Sequence, residues 1–326
     1  MKFKIMLTDS IHPDVDVEMS ELGKIGAEIV RPKDISPESL IETGHDCDGI
    51  LCDYALLTRE VLAGLTKCRI IAEAGIGVNN IDLEAAARKG IKVANVPHYC
   101  LREVAEHTMA LFLACARKLT PYDRAIRAGR WEKLEYAPLR RAAGQTFCLC
   151  GFGSIAQQVA VRAQAFEMQV CAYDPFLPEE VFVKNKVRRI DFLEDLARLA
   201  DVFCIHTPLT DNTHGLINHA VFNVMKTNAI VINTSRGGVV AEQDLIEALA
   251  TGRIAAAGLD VLQNEPPAKD NPLLTMDNVV LTPHCGYFSE DSDLELRRTM
   301  AQEVVRVLTG GDPVSWVNRK FFETRS

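Results

Sequence analysis

The sequence predicts an α/β fold made of two doubly wound parallel-sheet domains. Three observations carry this. Short β-branched apolar runs alternate with helical patterns from end to end. The strand runs are continuously apolar rather than alternating, as expected of strands covered on both faces. The alternation also comes in two series separated by a long helical stretch, and 326 residues suit two domains of ~100–200 residues each.

The first series reads as strands Phe3–Leu7, Gly49–Cys52, Ile70–Ala74 and Lys92–Val96. A helical stretch, Leu101–Leu119, then marks the joint, since no segment rich in Gly, Ser or Pro separates the series. The second series reads as Thr146–Cys150, Gln169–Tyr173, Val202–Ile205, Ala229–Asn233, Ala255–Asp260 and Val279–Leu281. Helix patterns lie between them at Ile155–Ala165, Phe192–Leu199 and Glu242–Ala250, the last with Leu245, Ile246 and Leu249 on one face. A final helix runs from about Asp291 to Leu308.

Composition narrows the function classes. The chain is 48% apolar and 25% charged, with 20 Gly and 14 Pro, which excludes collagen-like and low-complexity readings. A net charge of −8 without a long Lys/Arg run argues against nucleic acid or an anionic membrane surface as partner. No apolar run approaches the ~18 residues of a membrane span, and the N-terminus enters a strand-like run with no secretory signal before it. The ten cysteines are dispersed, several inside apolar runs (Cys115, Cys150, Cys171, Cys204), and none forms a CxxC pair. Cys148 and Cys150 would face opposite sides of their strand. Buried reduced thiols in a cytoplasmic protein without a metal site are the expectation.

The second series opens with a strand, the turn Gly151-Phe-Gly153-Ser-Ile-Ala156, and a helix. In this GxGxxA pattern Gly151 permits a tight turn, Gly153 lets backbone approach a pyrophosphate, and Ala156 lets the helix pack on the strand. The helix N-terminus then offers N–H groups to phosphate. Eighteen residues after Ala156, ending the next strand, stands Asp174. An acid there accepts hydrogen bonds from ribose hydroxyls and repels a 2′-phosphate, selecting NAD over NADP.

Three further residues stand just past strand ends: Arg236 in Asn233-Thr-Ser-Arg-Gly-Gly238, Glu265 in the segment from Gly258 to Pro267, and His284 in Leu281-Thr-Pro-His-Cys-Gly-Tyr287. Each alone is an ordinary turn or surface residue; together they match reduction of a 2-oxo acid. Arg236 can clamp the carboxylate and the neighbouring carbonyl. His284 can protonate the oxygen that gains charge as hydride arrives, and act as base in reverse. Glu265 can orient the imidazole and stabilise its protonated form.

The chain resembles the D-isomer-specific 2-hydroxyacid dehydrogenases over essentially its whole length. The segments that carry this are Ala74–Leu83, the GxGxxA turn with Asp174, His206–Thr210, Asn233–Gly238, Gly258–Pro267 and Thr282–His284. Val96–Cys100, Arg140-Arg141 and Tyr287–Glu290 look most like the C-terminal-binding-protein-like branch. The resemblance implies a discontinuous flavodoxin-like substrate domain, 1–100 plus 291–326, and a Rossmann NAD-binding domain, 101–290. It implies that Ser154 and Ile155 lie over the pyrophosphate, with His206 and Thr207 also on the cofactor, Thr207 near the adenosine ribose. Thr234 and Ser235 would wall the nicotinamide beside Arg236 and His284, and Asp260 would hold its carboxamide. Backbone N–H groups of Ile76 and Gly77 would grip the substrate carboxylate, with Tyr54 and Tyr287 around its side chain. A homodimer through the NAD-binding domain is the family expectation.

Departures refine the expectation. Ala156 replaces a third glycine, Cys148 a common strand glycine, and His98 an Asp or small residue. Tyr287 stands where corepressor members carry Trp. Asp53 and Glu73 align with arginines of the phosphoglycerate-specific members, so a phosphorylated substrate should be repelled. A chain ending at residue 326 carries no expectation of an added regulatory domain. The reading is an NAD-dependent dehydrogenase of a small unphosphorylated 2-hydroxy acid. The alternative is an NAD(H)-sensing, corepressor-like binding protein with residual activity. Oxidation of a non-hydroxyacid donor is disfavoured, because formate-oxidising relatives lack the Glu at position 265.

Overall fold

All strand pairings among the described residues are parallel, and they form two sheets. The structure is a computed structural model that describes residues 3–10 and 12–323. Its contacts divide the chain into two compact units, Met1–Cys100 with Ser289–Ser326, and Leu101–Phe288.

The first unit holds strands β1 (Lys4–Leu7), β2 (Glu28–Val30), β3 (Gly49–Cys52), β4 (Ile70–Glu73) and β5 (Lys92–Ala94). Their order, β2-β1-β3-β4-β5, is the flavodoxin-like one. β3 and β4 are buried along their whole length because helices cover both faces. One cover is the helix Glu290–Leu308, started by a capping box between Ser289 and Ser292. It lies so near the sheet that a Cβ on Gly49 would come within 3.3 Å of Val304 Cγ1. Its buried Arg297 donates from Nε and Nη2 to the two carboxylate oxygens of Glu18 on the helix Asp16–Leu22, at 2.7 and 2.9 Å. β2 carried no sequence signal: it is a three-residue, half-exposed edge strand.

The second unit holds β6 (Thr146–Cys150), β7 (Gln169–Tyr173), β8 (Arg188–Arg189), β9 (Val202–Ile205), β10 (Ile230–Asn233), β11 (Ala256–Leu259) and β12 (Val279–Leu281). The order β12-β11-β10-β9-β6-β7-β8 is a Rossmann sheet extended by one strand. Its order reverses between β6 and β9, and ligands of such sheets bind outside the carboxyl ends of the strands at that point. β8 was also unforeseen, since two arginines make no apolar run. The helical stretch expected over 101–119 is two helices, Leu101–Ala116 and Leu119–Arg127, parted where Lys118 turns left-handed at φ 54°. The first packs tightly on the sheet: a Cβ on Gly258 would stand 3.0 Å from Leu111 Cβ and 2.9 Å from Ile232 Cδ1. Nine cysteines are buried and Cys285 is half-buried, all reduced. Among the described residues no helix is long and apolar enough to cross a membrane.

Candidate active site

In the second unit the residues expected on the cofactor and the reactant stand at or beyond the carboxyl ends of the strands. β6 runs into Gly151 at φ +87°, where a Cβ would be 2.8 Å from the carbonyl oxygen of His206; only glycine serves there. The Phe152 N–H donates to Asp174 Oδ2 at 2.9 Å and the Phe176 N–H to Oδ1 at 3.0 Å, so the turn and the acid ending β7 are locked together. Gly153 precedes the helix Ser154–Ala165, which has no side-chain cap, and a Cβ on Gly153 would meet nothing within 4 Å. Unclaimed N–H groups behind an open Cα fit a dinucleotide pyrophosphate. Ser154 is exposed, Ile155 half-buried and Ala156 fully buried against the sheet.

The neighbouring strand ends complete this rim. The His206 N–H donates to Cys150 O at 2.8 Å, and Thr207 Oγ1 donates to the same oxygen at 3.0 Å. Burial holds the His206 imidazole down at about 4, so it is neutral at pH 7. After β10, buried Asn233 shapes the next loop: its Oδ1 accepts from Ser235 N and Oγ, and its Nδ2 donates to Arg236 O. Thr234 Oγ1 pairs with Thr108 Oγ1 at 2.9 Å. The Arg236 guanidinium is half-buried and donates to Ser235 O at 2.7 Å.

His284 Nδ1 lies 2.6 Å from Glu265 Oε2, both side chains being more than one-third exposed. Glu265 Oε1 accepts from the Leu262 N–H at 3.0 Å. Burial would raise the Glu265 carboxyl, but the His284 hydrogen bond and charge, the Leu262 amide and the Arg236 charge hold it below the usual range. Glu265 is therefore an ionised partner that fixes the imidazole by Nδ1 and leaves Nε2 to the reactant. The Tyr287 ring stands edge-on to the imidazole, centroids 6.3 Å apart. Asp260 is buried at the end of β11, and its carboxylate accepts from Thr282 Oγ1, Cys285 N and Gly286 N at 2.6, 3.0 and 2.9 Å.

The remaining candidates belong to the first unit. Ile76 and Gly77 follow β4 in an irregular loop pinned by Asn95 Nδ2 donating to Ile76 O at 2.6 Å. Among the described residues no acceptor takes the Ile76 or Gly77 N–H. Tyr54 is 59% exposed, and its N–H donates to Asp9 Oδ2 at 2.8 Å.

Asp53 follows β3 and Glu73 ends β4, but they are not the fixed charges expected from the sequence. Burial, with Asp9 and Asp293 adding repulsion, pushes the Asp53 carboxyl up to about 7. Burial pushes Glu73 up to about 8 against the opposing hydrogen bonds of Asn80 and Cys52. At these two acids the folded chain keeps protons that the unfolded chain releases near pH 4, so their contribution to stability falls as pH rises from about 4 to 8. Glu73→Gln is expected to weaken this alkaline loss, by a few kcal/mol at most, raising Tm at pH ~9 but not at pH ~4. Equal slopes of Tm against pH in variant and wild type would contradict it.

Comparison with known proteins decides the family. Residues 109–286 match the model of the D-isomer specific 2-hydroxyacid dehydrogenase, NAD binding domain. The chain belongs to the D-isomer-specific 2-hydroxyacid dehydrogenase family. Its second unit is the family's NAD-binding domain. The chain is 39% identical over 308 residues to the D-3-phosphoglycerate dehydrogenase of Methanocaldococcus jannaschii, a match covering 94% of this chain and 58% of that relative. It therefore spans little more than half of that protein's length. It is 39% identical over 254 residues to the hydroxypyruvate reductase of Thermotoga maritima, covering 77% of this chain and 81% of that one. The structure of an Aquifex aeolicus D-lactate dehydrogenase complexed with NAD and lactic acid superposes with a TM-score of 0.84 at 26% identity, covering 98% of each chain. These matches establish the family; the C-terminal-binding-protein-like branch stays an expectation.

For this family member Asp174 carries the first functional prediction. Its carboxylate, aimed by two backbone amides, is expected to favour NADH over NADPH by roughly 100-fold, through ribose hydrogen bonding and like-charge repulsion. Comparable kcat/KM with both cofactors would refute it. Sequence reading overlooked His107, Thr108 and Asn233, which hold the loops rather than face outward. A faint signal existed: His107 lies three residues after Val104 and four before Leu111, on the inward face of an apolar helix.

Proposed function

We propose that the chain is an NAD-dependent D-2-hydroxyacid dehydrogenase, interconverting a small unphosphorylated 2-oxo acid and its D-2-hydroxy acid. The observation that carries the reading is the short Glu265–His284 pair with the Arg236 charge beside it. That arrangement suits an imidazole acid next to a carboxylate-binding guanidinium, and a binding protein has no need of it. The bound nicotinamide supplies or accepts the hydride. Arg236 holds the carboxylate and carbonyl, His284 Nε2 gives the proton to the carbonyl oxygen, and Glu265 steadies the imidazolium. In oxidation His284 takes the proton back.

The relatives named above include both a phosphoglycerate dehydrogenase and a hydroxypyruvate reductase. We favour the unphosphorylated class because Asp53 and Glu73 supply no cation for a phosphate of about two negative charges. Near neutral pH these acids hold much of their proton, so the missing cradle disfavours phosphate there; repulsion adds to it as they ionise. Reduction of glyoxylate, pyruvate or hydroxypyruvate is expected to exceed that of 3-phosphohydroxypyruvate, with the gap widening from pH ~7 to ~9. A phosphorylated substrate with equal or higher kcat/KM at equal ionic strength would overturn this.

The chain is also proposed to act in the cytoplasm as a homodimer through the NAD-binding domain. Trp131 and Leu134 are 77% and 80% exposed in the segment after the helix Leu119–Arg127, the kind of surface a second copy covers.

A further inference from the structure

His284 sits at φ +52°, a left-handed conformation that is unfavourable for a non-glycine residue and persists only where neighbours enforce it. Here the enforcing group is Asp260. Its main-chain oxygen accepts from the His284 N–H at 2.8 Å, and its carboxylate accepts from the next two amides, Cys285 and Gly286. The acid turn is therefore folded around one buried carboxylate.

What aims that carboxylate can be read from proton counting. Burial opposes ionisation of Asp260, but the donors from His107, Thr282, Gly286 and Cys285 hold it at about 2, so it is an acceptor only. Thr282 has one hydroxyl proton, and with Oγ1 2.6 Å from Asp260 Oδ1 that proton goes to the carboxylate. His107 Nε2 lies 2.8 Å from the same Oγ1, which can then only accept. Nε2 must carry hydrogen. The order is His107 Nε2–H to Thr282 Oγ1–H to Asp260 Oδ1, with Nε2 also 3.3 Å from Oδ1. The packing leaves no slack: a Cβ on Gly286 would stand 2.8 Å from Asp260 Oδ2 and 3.1 Å from His107 Cδ2.

We propose that His107 and Thr282 are positioning residues: their one-way hydrogen-bond relay orients Asp260, which in turn holds His284 in the conformation that meets Glu265. This rests on His284 being the acid of the proposed reaction. Neither residue touches the reacting atoms in this account. Partners of this kind, acting through another side chain, typically change activity about 10- to 100-fold when removed.

The test uses two pairs of variants of the full chain. H107L and T282V remove the relay protons with little change of volume; H107Q and T282S restore a donor at nearly the same place. Thermal melts establish folding, fluorescence titration gives NADH affinity, and kcat, KM and the pH profile of kcat/KM are measured with the best 2-oxo acid. H107L and T282V are expected to lose about 10-fold or more in kcat, with the alkaline limb of kcat/KM moved to lower pH as His284 loses its alignment with Glu265. H107Q and T282S are expected to recover most of both. If H107L fails to fold, T282V against T282S decides alone. The relay is overturned if T282V matches T282S in kcat and pH profile, or if a folded H107L matches wild type. H284Q as a control separates the failures: an inactive H284Q beside unaffected relay variants refutes the relay only, whereas an active H284Q refutes the functional reading.

Discussion

His284→Gln is expected to lower kcat by about 10²–10⁴ while leaving NADH affinity nearly unchanged. Glutamine keeps the polarity and much of the shape of the side chain but cannot deliver a proton, and nothing in the turn at Gly151–Ala156 depends on it. The loss should appear in kcat rather than KM, because proton transfer is felt in the transition state and not in the bound ground state. Glu265→Gln should be milder and of a different kind. It removes the ionic partner 2.6 Å from Nδ1, so the alkaline limb of the pH–rate profile for reduction should move to lower pH. Near-normal turnover in His284→Gln, or an unmoved profile in Glu265→Gln, would count directly against these roles.

Gly237→Ala is expected to be the most damaging small substitution near the site. A Cβ there would stand 1.9 Å from the carbonyl oxygen of Leu262 and 2.5 Å from Gln263 N, and both obstacles are backbone. No rotamer relieves the clash, so the loop carrying Arg236 and the loop carrying Glu265 must separate. The cost should be on the order of 4 kcal/mol or more, in the rare class of severe single substitutions. That corresponds to a fall in Tm of about 10 °C, at roughly 2–4 °C per kcal/mol. Because Arg236 precedes this glycine and Glu265 binds the Leu262 amide, kcat/KM should fall with stability. A variant within 1–2 °C of wild type in Tm would show that the loops yield easily. The control is Gly252→Ala, at φ +69° with nothing near its Cβ, where only the backbone strain should register.

Much is legible in the amino-acid sequence because the chemistry is written in short, local patterns. The strands Gly49–Cys52, Thr146–Cys150, Gln169–Tyr173, Val202–Ile205 and Val279–Leu281 announced themselves as buried apolar runs, and the structure reproduces their limits. The elements that escaped, Glu28–Val30 and Arg188–Arg189, are short edge strands whose hydrogen bonds come from the neighbouring strand and not from their own side chains. The single helix expected over 101–119 breaks at Lys118, which turns left-handed, and Pro121, which has no N–H to continue the first helix, stands in the first turn of the second.

Short-range patterns specify the alternation of strands and helices, the GxGxxA turn with its acid, and the residue types for acid, orienting carboxylate and guanidinium, since each depends on neighbours a few positions away. Tertiary structure alone decided that Glu265 and His284 meet at 2.6 Å, that Gly237 tolerates no side chain, and that Asp260 serves as the knot of a turn held by a histidine 153 residues earlier. It also decided the charge of Asp53 and Glu73. A carboxylate's proton affinity is set by the water it loses and the charges it faces on burial, and both come from chain segments distant in sequence.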